Sequence, residues 1–232
     1  MTSGMGRRAL LGAALAAPSI VRAQGEAPIR VGEINSYSGQ PAFTLPYRNG
    51  WTLALEQVNG AGGVLGRKLE FVSRDDAGRP QDAVRVAGEL LGDAKVDLLA
   101  GTYLSNVALA VSDFARENKR LFVAGEPLTD ALIWAKGNRY TFRLRPCTYE
   151  QAVMLAEPAS RLGLRRWATV APNYEYGQSA VKWFRQMMTR LQGQPGQPGV
   201  EFVGEQWPAL GKIDAGATVQ ALERCVRMQS ST

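Results

Sequence analysis

From Ile29 onward the chain alternates short β-branched runs with stretches of helical spacing, and few folds accommodate that order. Ile29 to Ile34, Leu69 to Ser73, Val96 to Ala100 and Leu121 to Ala124 read as strands. Between them, Tyr47 to Asn59 carries Trp51, Ala54, Leu55 and Val58 on one helical face. Pro80 suits a first helical turn, and Val84, Ala87, Leu90 and Leu91 form the apolar face of a helix running to Gly92. Ser105 is placed to cap a third helix with Ala108, Val111, Phe114 and Ala115 inward. This β-α-β-α-β-α-β order predicts an α/β fold with a mainly parallel sheet flanked by helices. Ligands of such sheets bind beyond the carboxyl ends of the strands.

Tyr140 to Arg145 reads as an extended connection, and a second α/β series begins after Pro146. It predicts a helix over Tyr149 to Leu162 that Pro158 kinks or breaks, a strand over Trp167 to Ala171 and a helix over Tyr176 to Leu191. A Gly/Pro/Gln loop from Gln192 to Gly199, a strand over Val200 to Val203 and a helix capped by Asp214 follow. Two strands do not close a core of their own, so this second lobe reads as incomplete, and the chain as C-terminally truncated or carrying an altered reading frame.

The N-terminus has the plan of an export signal: Arg7 and Arg8, the apolar Ala9 to Ile20, and a small-x-small site at Val21-Arg22-Ala23. The apolar run is too short to span a ~30 Å hydrocarbon core and contains Pro18. The adjacent arginines resemble a twin-arginine signal, although an ordinary secretory signal also carries such pairs. Cleavage near Ala23 sends the mature chain to the periplasm and divides the sequence into 1–23 signal, 24–146 first lobe and 147–232 partial second lobe. Three arginines of the +6 net charge leave with the signal, so +3 remains, scattered rather than striped. No nucleic-acid partner is expected from that pattern.

The chain has no histidine, which excludes Ser-His and Cys-His nucleophile pairs and the usual zinc sites. Its two cysteines, Cys147 and Cys225, form at most one bridge and read equally as free thiols. The glycine-rich stretch Asn59 to Asp76 looks at first like a phosphate loop. Leu65 stands where G-x-G-x-x-G needs its third glycine, and Arg67 stands where a Walker loop needs lysine. The order is also reversed, helix before strand, so Gly60 to Gly66 read as a helix stop and a tight return. Asp75 and Asp76 read as turn formers ahead of Pro80 rather than metal ligands.

Several segments, taken in order, carry a family resemblance. They are Ile29-Arg-Val-Gly with the Ser38-Gly39 loop, Val58-Asn-Gly-Ala-Gly-Gly-Val-Leu-Gly-Arg67 leading to Arg74-Asp-Asp76, Gly101-Thr-Tyr-Leu-Ser105, and Asn173-Tyr-Glu-Tyr-Gly177. From Ile29 to about Glu223 the chain resembles the type I periplasmic solute-binding proteins of ABC transporters, in the branched-chain amino-acid-binding family. The resemblance implies a monomeric two-lobed clamp without catalysis or cofactor, which takes a small ligand and delivers it to a membrane permease. It implies a branched-chain amino acid, or a related amide or aromatic acid, as ligand. It assigns the ligand carboxylate to Ser105 and to the Gly125-Glu-Pro-Leu-Thr129 loop, with Pro127 inside that loop and Thr129 as its hydroxyl. Tyr176, with Tyr174 beside it, covers the ligand from the opposite lobe. The family's acidic partner for a ligand ammonium lies beyond this chain's end, and Glu126 is the substitute on offer.

From the residues themselves, Ser105 reads as a plain N-cap and Thr129 equally as a loop hydrogen-bonder. Tyr103 and Tyr37, at strand ends, form pocket walls or cover the sheet edge. Arg143 and Arg145 could meet a ligand carboxylate near the crossover, but strand alternation puts both on one face, often the solvent face, and they are not counted as site residues. A sensing module of the same fold is the alternative function, and an exported serine hydrolase lacks its G-x-S-x-G elbow.

Overall fold

The computed structural model describes residues 27–193 and 199–229; the export signal and most of the Gly/Pro/Gln loop lie outside the described residues. The first series is β1 (Ile29–Asn35), α1 (Pro41–Gly60), β2 (Leu69–Asp75), α2 (Pro80–Gly92), β3 (Leu98–Gly101), α3 (Ser105–Glu117), β4 (Phe122–Ala124) and β5 (Thr141–Arg143). The second is α4 (Thr148–Arg161), β6 (Arg166–Val170), α5 (Glu175–Gln192), β7 (Glu201–Gln206) and α6 (Ala215–Gln229). Five strands form one parallel sheet in the order β2-β1-β3-β4-β5, and β6 pairs in parallel with β7 in a second sheet.

Strand order reverses at β1, which pairs with β2 on one side and β3 on the other. The loops leaving these strands therefore diverge to opposite faces and open a crevice at the carboxyl edge. Behind that edge, Ile34, Leu99 and Phe122 meet Ala83, Val86, Ala87 and Leu90 of α2 and Val107, Ala108 and Val111 of α3 in one buried cluster. Gly32 permits the close approach of α2: a Cβ there would lie 2.8 Å from the Val96 side chain and 3.2 Å from Leu90. The buried stripe of α2 is Ala83, Val86, Ala87 and Leu90, so Val84 is half-buried beside it rather than central.

Other expectations needed correction for physical reasons. α1 begins at Pro41 and includes Pro46, giving up one amide bond early in a helix of 20 residues. The stretch around Tyr140 to Arg145 contributes a fifth strand, with Phe122, Val123 and Ala124 pairing with Thr141, Phe142 and Arg143. Pro158 sits within α4 without ending it. Ser105 is not the cap of α3: Leu104 holds that position in extended conformation, and Ser105 is the first helical residue. Cys147 and Cys225 are both free thiols, and Cys147 caps α4 in a reciprocal box with Glu150. The glycine stretch behaves as read, since α1 stops at Gly60 and Gly62, Gly63 and Gly66 all have positive φ before β2. Asp75 and Asp76 accept the turn amides of Ala77 and Gly78 at 2.8 and 2.7 Å.

Candidate functional site

A cleft of about 330 Å³ opens at the carboxyl edge of the first sheet. Its floor is built by the turns that follow β3 and β4, through Tyr103, Ser105, Glu126 and Leu128. Phe43 of α1 extends the floor by stacking on Tyr103, with ring centroids 5.1 Å apart and planes 15° apart. Tyr174, which precedes α5, and Tyr176, in its first turn, face these residues across the cleft, and Arg145 closes it from the segment between β5 and α4. Both sheets thus contribute to one recess with aromatic walls.

Backbone strain shapes the floor. Gly101 has φ +102°, and a Cβ there would lie 2.4 Å from the Ile34 carbonyl oxygen. The next residue, Thr102, has φ +64°, a costly conformation for a β-branched side chain. Its amide donates to the Ile34 carbonyl at 2.6 Å, while the carbonyls of Gly101 and Thr102 accept from Gly125 and Glu126. These crossing bonds lash β1, β3 and the turn after β4 together. Tyr103 and Glu126 consequently reach the same recess.

Ser105 is almost wholly buried at the base, where its Oγ accepts the Thr129 amide at 3.3 Å. Its hydroxyl proton stays free to donate, beside the amide groups that begin α3. Glu126 is also mostly buried, and one of its carboxyl oxygens accepts from Asn35 Nδ2 at 3.1 Å. Burial pushes the Glu126 carboxyl up, while the Asn35 bond and the nearby Arg145 charge pull the other way. Burial and the phenols of Tyr103 and Tyr176 also push the Tyr174 hydroxyl up, so it stays protonated as a donor.

Of the residues singled out from sequence, Ser105, Tyr103, Tyr174 and Tyr176 come together in this cleft. Thr129, Pro127 and Tyr37 are not among its lining residues. Thr129 is fully buried, with its hydroxyl donating to Glu175 Oε1 at 2.7 Å and accepting the Ala131 amide at 3.2 Å. Pro127 is buried within the turn after β4. Tyr37 turns toward α1, donating to Glu33 Oε2 at 3.0 Å and receiving Trp51 Nε1 at 3.4 Å. Glu126 and Leu128 line it from the Gly125–Thr129 loop, Arg145 joins it although it was not counted as a site residue, and Phe43 joins it without having been mentioned. Alternation along an extended segment placed Arg145 toward solvent, whereas the chain leaves β5 two residues earlier and turns it inward.

Beneath the cleft a second polar cluster ties the two sheets together. Asp130, in a 3-10 turn over Asp130–Leu132, accepts from Thr148 of α4 at 3.0 Å and from Ser179 of α5. Burial raises the Asp130 carboxyl, but the bonds from Ser179 and Thr148 outweigh it and hold the group below the usual carboxylate range. Asp130→Ala is expected to cost about 3 kcal/mol, because it removes the charged acceptor that joins three elements and leaves the buried Thr148 and Ser179 hydroxyls with only each other as partners. Hydrogen exchange checks this: α5 amides should exchange faster while β1 and β3 stay protected. Unchanged protection in α5 would remove Asp130 from this linking role.

A separate groove of about 380 Å³ runs beside β6, between Leu155, Val170 and Phe184. It is mainly apolar, draws its lining from the second series alone and shares Tyr176 with the cleft.

Residues 28–224 match the family described as "Periplasmic binding protein". The Leu/Ile/Val-binding protein homolog 3 of Brucella melitensis is 33% identical over 132 residues, covering 56% of this chain and 35% of that protein. The ABC transporter substrate-binding protein from Sphaerobacter thermophilus superposes with a TM-score of 0.72 at 29% identity, covering 87% of this chain and 53% of its own. A solute-binding protein of an ABC transporter from Rhodopseudomonas palustris HaA2, solved with p-hydroxybenzoic acid, gives 0.74 at 24% identity and covers 85% and 51%. The chain therefore spans about a third to a half of the length of these relatives. With its α/β series, parallel sheet and carboxyl-edge cleft, the chain belongs to the periplasmic binding protein family.

Proposed function

We propose that this chain is the solute-binding component of an ABC transporter, exported to the periplasm, where it holds a small organic carboxylate for a membrane permease. The observation that carries the reading is the cleft itself, where Tyr103 and Ser105 of the first series face Tyr174 and Tyr176 of the second. Residues 24–146 act as one lobe and 147–232 as part of the other, with the ligand between them. Ser105 donates its hydroxyl to the carboxylate, and the amides opening α3 add partial positive charge. The tyrosines and Phe43 enclose the apolar body of the ligand. Thr129 contributes indirectly, through the amide that already engages Ser105 and a hydroxyl that holds Glu175 of the opposite wall.

Thermal-shift screening of the purified chain against L-leucine, L-glutamine, L-phenylalanine and 4-hydroxybenzoate tests this reading. At a ligand concentration of 100 Kd the stabilisation is about 2.7 kcal/mol, well within detection. Ser105→Ala should weaken the best ligand about tenfold or more, the worth of one hydrogen bond to a charged group. No shift from any of the four, or a shift unaffected by Ser105→Ala, would count against the site.

A further inference from the structure

The two-stranded sheet of the second series has edges of opposite character. β7 carries Glu201 and Glu205, and it holds an extra residue, Val203, between its pairs with Trp167 and Ala168. Charge and a bulge are devices that keep an edge strand unpaired. β6 has neither from Trp167 to Val170, and among the described residues no strand other than β7 pairs with it. The Arg165 carbonyl and the Ala171 amide bond toward β7. Alternation therefore turns the backbone groups of Trp167 and Thr169 toward β7 and those of Ala168 and Val170 to the open edge.

The groove of about 380 Å³ runs along that edge. Consecutive residues from Ala168 to Ala171 border it, whereas a pocket over one sheet face would meet every second residue. Beside it, Leu155, Leu164 and Val170 are 64%, 55% and 43% exposed, and Leu162, two turns along from Leu155, is 66% exposed. An apolar patch of this kind marks a contact surface. Thr169, in the same lining, has its hydroxyl buried without a hydrogen-bond partner.

We propose that the β6 edge binds a second copy of this chain, β6 against β6 in antiparallel register about a two-fold axis at Thr169. In that register Ala168 of one copy exchanges backbone bonds with Val170 of the second copy. The two Thr169 side chains stand opposite each other at a position where side chains approach closest, and each buried hydroxyl gains the partner it lacks. Arg166 falls opposite Pro172 of the second copy, so no like charges meet across the strands. Each copy brings the same strand and the same apolar groove, the self-complementarity that a two-fold contact requires. A two-stranded sheet is marginal alone, whereas the pair makes a four-stranded sheet with the charged, bulged β7 at both outer edges. The dimer replaces the monomer that the family resemblance implies, and it does not depend on what the cleft binds.

Sedimentation velocity of the chain from about 1 to about 200 μM tests this. A dimer is expected at the upper end, dissociating on dilution, with slow hydrogen exchange at the Ala168 and Val170 amides in the dimer and fast exchange in the monomer. Val170→Lys should raise the dimer dissociation constant about tenfold or more, while the dilute variant unfolds close to the parent midpoint. Thr169→Cys, combined with Cys147→Ser and Cys225→Ser, should form a disulfide-linked dimer under mild oxidation, because the register sets the two thiols opposite each other. A monomer across the whole range overturns the proposal, and slow exchange at Ala168 and Val170 in that monomer would assign the edge to another segment of the same chain. A dimer that survives Val170→Lys, or in which Thr169→Cys fails to cross-link, lies elsewhere on the molecule and overturns the β6 contact.

Discussion

Replacing Gly101 with alanine is expected to destabilise the chain by about 3 to 5 kcal/mol, the sum of a forbidden backbone conformation and a steric overlap. The added Cβ would sit 2.4 Å from the Ile34 carbonyl oxygen and 3.2 Å from the Ile34 amide nitrogen, and backbone on both sides has no rotamer through which to yield. Gly101 also carries the carbonyl that receives Gly125, so relief by moving β3 would pull the turn after β4 out of place. Gly88→Ala is the matched control. That glycine lies inside α2, with ordinary φ and nothing within 4 Å of a built Cβ, so alanine should stabilise by about 0.5 to 1 kcal/mol. Urea unfolding of both variants separates the cases. A Gly101→Ala midpoint equal to the parent would mean that Gly101 does not lie against the Ile34 carbonyl as described.

The second large effect is expected at Glu33, a carboxyl with no exposed surface in the middle of β1. Ser73 Oγ and Tyr37 donate to Oε2 at 2.6 and 3.0 Å, whereas Oε1 is buried without a partner. Burial raises this carboxyl from 4.5 to about 7, against the pull of its hydrogen bonds. Between those two values the folded chain holds a proton that the unfolded chain has lost, so stability falls as pH rises from about 4.5 to about 7. The total cost reaches about 3 kcal/mol above pH 7. Glu33→Gln keeps the shape without the charge. Its unfolding midpoint should match the parent near pH 4.5 and exceed it at pH 8, with a flatter pH profile. Asp76, also pushed up by burial, leaves a residual slope of the same sign. A variant that is less stable than the parent at pH 8 would show that the Glu33 charge is compensated in the fold.

These two residues also show what was legible in the sequence. Gly101 was readable as part of a motif, but the reason for it, a carbonyl on β1 inside Cβ range, exists only once the strands are adjacent. Glu33 was hidden in a strand whose alternation looked ordinary. The helix Pro80–Gly92 was readable at both ends, because proline at the first turn and glycine at the last report local backbone preferences. The start of α1 was not, because Pro46 argues locally against a helix that the chain nevertheless forms. β5 spans only Thr141–Arg143, and its Phe142 is exposed, so it left no buried period to detect.

The cleft was partly legible for the same reasons. Ser105, Tyr103 and the pair Tyr174 and Tyr176 follow strands, and loops after parallel strands converge on one edge. Thr129 was read as a cleft hydroxyl, but its side chain serves the bond to Glu175. Arg145 depends on how the chain turns between the two series, which strand alternation does not encode.

The most direct measurement of the central claim is a crystal structure of the chain with whichever carboxylate raises its unfolding temperature most. The ligand is expected between Tyr103 and Tyr176, with its carboxylate on the Ser105 hydroxyl and the start of α3. Density in the groove between Leu155 and Phe184 beside β6, with the cleft left empty, would contradict it.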